Sequence, residues 1–216
     1  FNQALHLLES RLFDRHGLSS KIATKRLIEK IKQIDPDVIH LHNIHGYYLN
    51  YPILFDYLSQ AGKPVVWTLH DCWAFTGHCS HFATANCYRW KSGCFTCPLK
   101  GIYPRSIGLD RSRGNYADKR YYFNKVKNLT IVTVSQWLKQ LVQQSMLRYD
   151  NLICIPNGID LNCFRPIDHI DPKYDFAGKK VLLGVGTKWT REKGYDDFVE
   201  LAKHIDDDYR IVMLGL

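Results

Sequence analysis

Two polar side chains, His70 and Asp71, follow directly after a short apolar run at residues 64–67. Such a run is typical of a buried strand in a parallel sheet, where ligands bind beyond the carboxyl ends of the strands. An imidazole beside a carboxylate at that position can bind a polar ligand or move a proton. We therefore predict that His70 and Asp71 line a functional cleft.

A second predicted strand, at residues 38–42, ends in residues of the same kind. Because parallel strands end at the same edge of a sheet, we expect this strand end to lie in the same cleft as His70. Four residues at or after this strand end are candidates for the cleft: His42, Asn43, His45 and Gly46. His40 alternates with apolar neighbours, and we interpret it as a hydrogen-bonded residue of the core.

The loop at residues 186–194 lies between a predicted strand and a predicted helix. It has glycine at both ends and carries three cations, Lys188, Arg191 and Lys193. Backbone N–H groups at a helix start, a bidentate arginine and a mobile lysine suit a diphosphate. The glycine spacing matches neither a Walker loop nor G-x-G-x-x-G. We interpret the loop as a diphosphate clamp, with an exposed charged loop as the alternative.

Five of the seven cysteines lie between residues 72 and 97. Four of them have the spacing of metal ligands: Cys79, Cys87, Cys94 and Cys97. Structural zinc takes four soft ligands, and such a site would stabilise an irregular insert that has no core of its own. Packed free thiols are the first alternative. Disulfides are the second, and a cytosolic location disfavours them. His78 and His81 are reserve ligands.

Alternating strands and helices must position these candidates. The predicted helices cover residues 20–34, 48–60 and 136–146, and the predicted strands cover residues 38–42, 65–69, 129–135 and 152–155. This order is typical of βαβ units and predicts a doubly wound α/β fold with a parallel sheet. Ser135 is expected to cap a helix and can also face an anion there. Asn157 lies in a turn that follows the last of these strands.

The pattern divides into two domains. Residues 1–160 form one α/β domain, incomplete at its start, with a Cys-rich insert at about residues 72–127. Residues 161–178 are proline-containing and aperiodic, which predicts a linker. Residues 179–216 contain two predicted strands and one helix, which is too little to bury a core alone. We expect them to begin a second α/β domain.

Composition limits the class of protein. A hydrophobic content of 45% excludes general disorder. The sequence contains no apolar run of about 20 residues and no signal peptide, so we expect a cytoplasmic chain that is trimmed at its start. The net charge of +8 is concentrated, together with aromatic residues, at residues 100–127. Such a region can bind phosphates or anionic lipid headgroups, with a solvated basic face as the alternative.

Several motifs together resemble the family 4 glycosyltransferases of the GT-B type. They occur in the family's order at residues 68–71, 134–138, 155–160, 164–166 and 191–194. Residues 40–48 and 72–79 are similar to a bacterial branch that acts in capsule, exopolysaccharide or colanic-acid type synthesis. The resemblance covers essentially the whole chain.

This resemblance implies two Rossmann-like domains that face a cleft, the first holding the acceptor and the second holding a nucleotide sugar. His70 matches the family's active-site histidine, which contacts the donor sugar, and Lys193 matches the basic residue that binds the donor diphosphate. Arg191 or Lys188 assists, because the family's usual Gly-Arg-Leu opening is replaced here by Gly-Thr-Lys at residues 186–188. The implied reaction is glycosyl transfer with retention of configuration, and it requires no metal cofactor.

The implied partners are a nucleotide-sugar donor and a glycan or lipid-linked acceptor. The basic region at residues 100–127 adds a peripheral contact with the inner face of the bacterial plasma membrane. The family's paired-glutamate segment and its first glycine-rich loop are absent from these residues. We therefore expect a fragment that has little activity by itself.

A different class of function also fits part of the sequence. A zinc-stabilised basic module that binds nucleic acid or anionic lipid without catalysis would explain the charge and the cysteines. It would leave His70, Asp71 and the loop at residues 186–194 without a role, and nucleic acid is therefore the less favoured partner.

Overall fold

A computed structural model describes residues 2–167, 174, 176 and 178–215. The chain divides into two compact units, residues 1–157 and residues 158–216. Part of the linker predicted at residues 161–178 lies outside the described residues. Each unit is described by itself below.

The first unit contains a four-stranded parallel sheet in the order β1-β2-β3-β4. The strands are β1 (Ile39–His42), β2 (Val65–Leu69), β3 (Leu129–Thr133) and β4 (Asn151–Cys154). In register, His42 lies beside Thr68, and Thr68 lies beside Val132. The predicted α/β fold class with a parallel sheet is confirmed.

Five helices accompany this sheet: α1 (Asn2–Phe13), α2 (Lys21–Ile34), α3 (Tyr51–Ala61), α4 (Ser112–Phe123) and α5 (Gln136–Gln143). Side-chain caps begin two of them, since the Asn50 and Ser135 side chains accept hydrogen bonds from backbone N–H groups in the first turns of α3 and α5. Helix α3 ends at Gly62, whose φ of 65° is a conformation that favours glycine.

The core lies between the central strands and α3. Trp67 of β2 packs against Phe55 of α3, with ring centroids 5.3 Å apart. Phe123, the last residue of α4, packs against Phe55 at 4.5 Å and against Trp67 at 4.9 Å. All three side chains are buried, and complete burial of a large apolar side chain contributes roughly 1.5–3 kcal/mol. This packing fixes β2, and therefore the position at which His70 leaves the sheet.

Residues 76–111 of the insert contain only short 3₁₀ turns, at Ala83–Ala85 and Arg89–Lys91. The expectation that the insert lacks a core is wrong. Trp90 is buried, and its ring centroid lies 5.2 Å from that of Phe75 and 5.1 Å from that of Phe82. This aromatic cluster is continuous with the main core.

Helix α1 was not expected from the sequence. Its last turn leaves backbone carbonyls without helical partners. The N–H of Ile107 donates to the carbonyl of Arg11 at 2.8 Å, and the N–H of Leu109 donates to that of Leu12 at 2.9 Å. The insert therefore supplies hydrogen-bond donors to the free carbonyls at the C-terminal end of α1.

The second unit contains β5 (Lys180–Val185) paired in parallel with β6 (Tyr209–Leu214), and the short helix α6 (Tyr195–Leu201). Trp189 packs on Phe198 with ring centroids 5.5 Å apart. Among the described residues of this unit, only Gly184 is buried. The described elements of this unit therefore share little buried surface.

In the part of the chain that the structure describes, none of the helices has both the length and the apolar character needed to cross a membrane.

Candidate functional site

The ends of β1 and β2 bring two histidines together. Nδ1 of His42 lies 3.0 Å from Nε2 of His70, and the rings are stacked with centroids 5.3 Å apart. One nitrogen must donate and the other accept, so each ring fixes the tautomer of the other. Both side chains are exposed. The two strand ends therefore present one linked imidazole pair to solvent.

His40 is exposed, so its interpretation as a core residue is wrong. Its Nε2 lies 2.8 Å from the Thr68 hydroxyl, and its ring lies 4.3 Å from that of His42. Partial desolvation, followed by the charge of His42, lowers the pKa of His40. Three histidines thus lie along one face at the edge of the described sheet.

Asp71 is bound on both of its oxygens. One oxygen accepts from the Trp73 N–H at 2.8 Å, and the other lies 3.0 Å from Nε2 of His45. Burial works to raise the pKa of Asp71, but the hydrogen bond and charge of His45, together with the Trp73 N–H, hold it below its usual value. Asp71 is therefore an ionised group that fixes the start of the 3₁₀ turn Trp73–Phe75.

His45 is buried, and Tyr103 holds its second nitrogen. Nδ1 of His45 lies 3.3 Å from the Tyr103 hydroxyl. Asp71, His45 and Tyr103 thus form a chain of hydrogen bonds that joins the end of β2 to the insert. The sequence placed His45 and Asp71 in one cleft, but it did not indicate that they pair or that Tyr103 takes part.

The depression between these strand ends is small. A cavity of about 10 Å³ is lined by residues that include Asn43, His45, His70 and Asp71. A volume of that size holds about one water molecule. Gly46 is not part of this lining, and it lies beside the ring of Tyr48.

Two buried bases lie beneath this surface, and the sequence analysis missed both. His16 packs against His45 and Trp73, with ring centroids 5.8 and 5.6 Å away. Burial, followed by the charge of His45, lowers the pKa of His16 well below its ordinary value. The Nζ of Lys119 donates to the carbonyls of Trp73 and Thr76 at 2.7 and 3.0 Å, and burial lowers its pKa to about 7.

The ends of β3 and β4 carry the two remaining cleft candidates of this unit. The Ser135 hydroxyl accepts from the Leu138 N–H at 3.1 Å, so the predicted helix cap is confirmed. Asn157 follows β4 and is exposed. Both residues lie at the edge of the sheet that also carries His42 and His70.

In the second unit, Lys188, Arg191 and Lys193 are all exposed after β5. Arg191 lies 3.7 Å from Asp196, whereas Lys188 and Lys193 form no ion pair with a described residue. The helix start expected to favour an anion carries Asp196 and Asp197 in its first turn. These carboxylates repel an anion at the start of α6. A diphosphate would therefore have to be bound by the cations of the loop.

The four predicted zinc ligands, Cys79, Cys87, Cys94 and Cys97, line one cavity of about 20 Å³. All four are free thiols. Within the described residues, no group of three or more His, Cys, Asp or Glu side chains is arranged so that it could hold a metal ion as it stands. Zinc binding stays a prediction.

Comparisons with known proteins identify the family. The model of Glycosyltransferase Family 4 matches residues 5–162, which include the first unit's sheet and its histidines. WcaC of Escherichia coli strain K12, provisionally named a colanic acid biosynthesis glycosyl transferase, is 32% identical over 182 residues. The match covers 81% of this chain and 44% of WcaC, so the chain spans less than half the length of that relative. The chain belongs to glycosyltransferase family 4.

Proposed function

We propose that the protein carrying this chain is a retaining glycosyltransferase of bacterial surface polysaccharide synthesis. It moves a sugar from a nucleotide-sugar donor to a glycan or lipid-linked acceptor. The linked pair of His42 and His70 at the ends of β1 and β2 is the observation that carries the proposal. Family membership supports it, and so does the name of the relative WcaC.

His70 is the proposed contact to the donor sugar. Its ring is exposed, and its Nε2 exchanges a hydrogen bond with His42. A sugar hydroxyl can replace that partner without desolvating a buried group. Before the sugar binds, His42 acts as a positioning residue, because its hydrogen bond restricts the rotation and tautomer of the His70 ring.

Asp71 has a different role in this proposal. Both of its oxygens are already bound, one to His45 and one to the Trp73 N–H. A carboxylate with these partners is poorly placed to accept a proton from a substrate. We assign Asp71 to positioning, since it holds the loop that begins at His70.

Lys193, Lys188 and Arg191 are the proposed contacts to the donor diphosphate. Departure of the nucleotide develops negative charge, which fixed cations stabilise. The two lysines have no competing acid among the described residues, whereas Arg191 has Asp196 beside it. We therefore expect the lysines to contribute more than Arg191.

A basic cavity in the first unit is the proposed contact for an anionic membrane or for the phosphates of a lipid-linked acceptor. Its volume is about 1230 Å³, and its lining includes Arg113, Arg120, Arg148, Phe95, Tyr116 and Tyr121. None of the three arginines is ion-paired with a described acid. Phosphate oxygens suit unpaired guanidinium groups, and aromatic rings suit the headgroup region.

Donor transfer is tested with the natural protein that carries this sequence, expressed at full length. Binding and transfer are measured with UDP-, GDP- and ADP-sugars. We expect His70→Ala to lose transfer while it keeps its circular dichroism spectrum, and Lys193→Ala to weaken binding of the nucleotide diphosphate. Lys203→Ala is the matched control, because Lys203 pairs with Glu200 on the surface of the same unit. Unchanged transfer in His70→Ala, or stabilisation by oligonucleotides only, would contradict the proposal.

Membrane contact is tested by co-sedimentation with vesicles that contain anionic lipid. We expect the double variant Arg113→Glu/Arg120→Glu to lose binding. The matched control Lys25→Glu/Lys30→Glu, which has the same charge change on α2, should keep it. Equal binding by both variants, or binding that ignores salt, would exclude the basic cavity as the contact.

A further inference from the structure

We propose that Cys79, Cys87, Cys94 and Cys97 bind one structural zinc ion, which fixes the insert against the first unit. The ion would serve the fold, so the inference is independent of the proposed transferase activity. It is argued from where the four side chains lie and from the groups around them.

The four cysteines come from three segments of the insert, with Cys94 and Cys97 in the same turn, and they line one cavity. Its volume of about 20 Å³ holds little more than one water-sized sphere. Aromatic and aliphatic side chains complete the lining: Phe82, Trp90, Phe95, Pro98 and Leu99. The cavity is therefore suited to a single ion and too small for an organic ligand.

The turn at residues 93–97 is held in a form that brings a C-x-x-C pair to one place. Gly93 and Thr96 have φ of 144° and 45°, both in the region that is rare for residues other than glycine. The Arg89 guanidinium donates to the carbonyl of Phe95 at 2.9 Å and also to that of Thr96. These contacts hold the turn independently of any bond between its thiols.

One sulfur already accepts a backbone hydrogen bond. The N–H of Gly77 donates to Sγ of Cys94 at 3.1 Å. A Cβ at residue 77 would lie 2.6 Å from Cβ of Cys94 and 2.2 Å from the carbonyl oxygen of Ser112. Only glycine lets the amide approach this closely. Hydrogen bonds from neighbouring groups orient and stabilise the ligands of metal sites, and a charged acceptor forms the stronger bond.

A buried cation lies beside the cavity. Zn²⁺ bound by four thiolates carries two excess negative charges. Lys119 is 1% exposed, and its Nζ donates to the carbonyls of Trp73 and Thr76, of which Thr76 lines the cavity. A buried charge is costly unless it is compensated, and an anionic zinc site would compensate this one.

The sulfurs must rotate to reach zinc. No set of three or more potential ligands in the described residues has metal spacing as it stands, although the four thiols line one cavity. Cys87, Cys94 and Cys97 are only partly buried, so their side chains can rotate about the Cα–Cβ bonds. Zinc would replace the thiol protons, which are released on binding. His78 lines the same cavity, but its Nδ1 is held by Asp14 at 2.6 Å, and we place it beside the site.

The experiment measures metal in the full-length natural protein, purified without added metal or chelator. We expect about one zinc per chain by elemental mass spectrometry. Cys94→Ser and Cys97→Ser should each reduce the zinc content at least tenfold. Cys154→Ser is the matched control, because Cys154 is a partly buried thiol in β4 of the same unit and should retain the metal.

A second measurement decides the question if the serine variants fail to fold. Modification of the thiols in the parent protein with a mercurial reagent should release zinc to a chromogenic chelator in proportion to the protein. Cobalt substitution should give the charge-transfer band of tetrahedral thiolate ligation. Less than a tenth of an equivalent of zinc in the parent, iron in its place, or a mass that shows disulfides would overturn the proposal.

Discussion

Acidification from about pH 7 to about pH 5 should destabilise the first unit by about 2 kcal/mol through His6 alone. His6 is buried, and its Nε2 accepts a hydrogen bond from the Gly17 N–H at 3.0 Å. Its proton must therefore be on Nδ1, which lies 2.9 Å from the Ser20 hydroxyl. Protonation of Nε2 would place two donors against each other. Burial, which outweighs the charge of Glu9, lowers the pKa of His6 to about 4.

The magnitude follows from the two pKa values of His6. In the unfolded chain the group titrates near its ordinary value of 6.5, and in the folded unit it titrates near 4. Between these values the unfolded chain binds more protons, so stability is lost as the pH falls below 6.5. The complete shift corresponds to about 3 kcal/mol, since one pKa unit is about 1.4 kcal/mol. About two thirds of this effect is reached near pH 5.

The assay is urea unfolding at both pH values for the parent and for His6→Gln. The loss of stability on acidification should be about 2 kcal/mol smaller in His6→Gln than in the parent. The other buried histidines, His16, His45 and His78, are present in both proteins, so the comparison isolates the effect of His6. His204→Gln, at an exposed ion pair with Glu200, should behave like the parent. An equal acid loss in His6→Gln and the parent would refute the reasoning.

Three further substitutions test the packing that positions the site. Ser135→Ala should cost about 1 kcal/mol in urea unfolding, because it removes the cap of α5, and Ser135→Asn should restore most of the loss. Leu138→Ala, at a position that is 1% exposed, should cost about 2–5 kcal/mol, and a smaller loss would mean that the site collapses readily. Gly77→Ala should lower the unfolding temperature, because its Cβ would meet the Ser112 carbonyl at 2.2 Å. Gly62→Ala places its Cβ in open space and, despite its positive φ, should cost less.

The sequence predicted the elements whose signal is local. Residues 64–67 form a continuous apolar run, and the strand predicted at residues 65–69 is β2 with the expected bounds. Helix α1 was missed because its apolar residues Leu5, Leu8 and Leu12 remain exposed, so they form no buried face. Its C-terminal end depends instead on hydrogen bonds from residues almost a hundred positions later. No local pattern can contain that information.

In the candidate site too, the sequence predicted what depends on local pattern and missed what depends on long-range contacts. The proximity of His42 and His70 was predicted because it requires only two neighbouring parallel strands. His40 was misplaced because β1 lies at the edge of the described sheet, where a strand position that alternates with apolar residues can still face solvent. The bond between His45 and Asp71 depends on loop geometry, and the buried position of Lys119 depends on long-range packing. Neither has a signature in residue spacing.

The four parallel strands lie side by side in sequence order, so the distance between any two strand ends is known. This distance gives the minimum length of a ligand that contacts both ends. Adjacent strands are about 4.8 Å apart, so the end of β1 is separated from the end of β4 by about 14 Å. One sugar ring can bridge neighbouring strand ends, such as those that carry His42 and His70, but cannot also reach Asn157. A ligand that contacts both edges must be at least about 14 Å long. The number of strand ends that a ligand contacts therefore depends on its length. Substitutions at successive strand ends would show how many of them the bound molecule reaches.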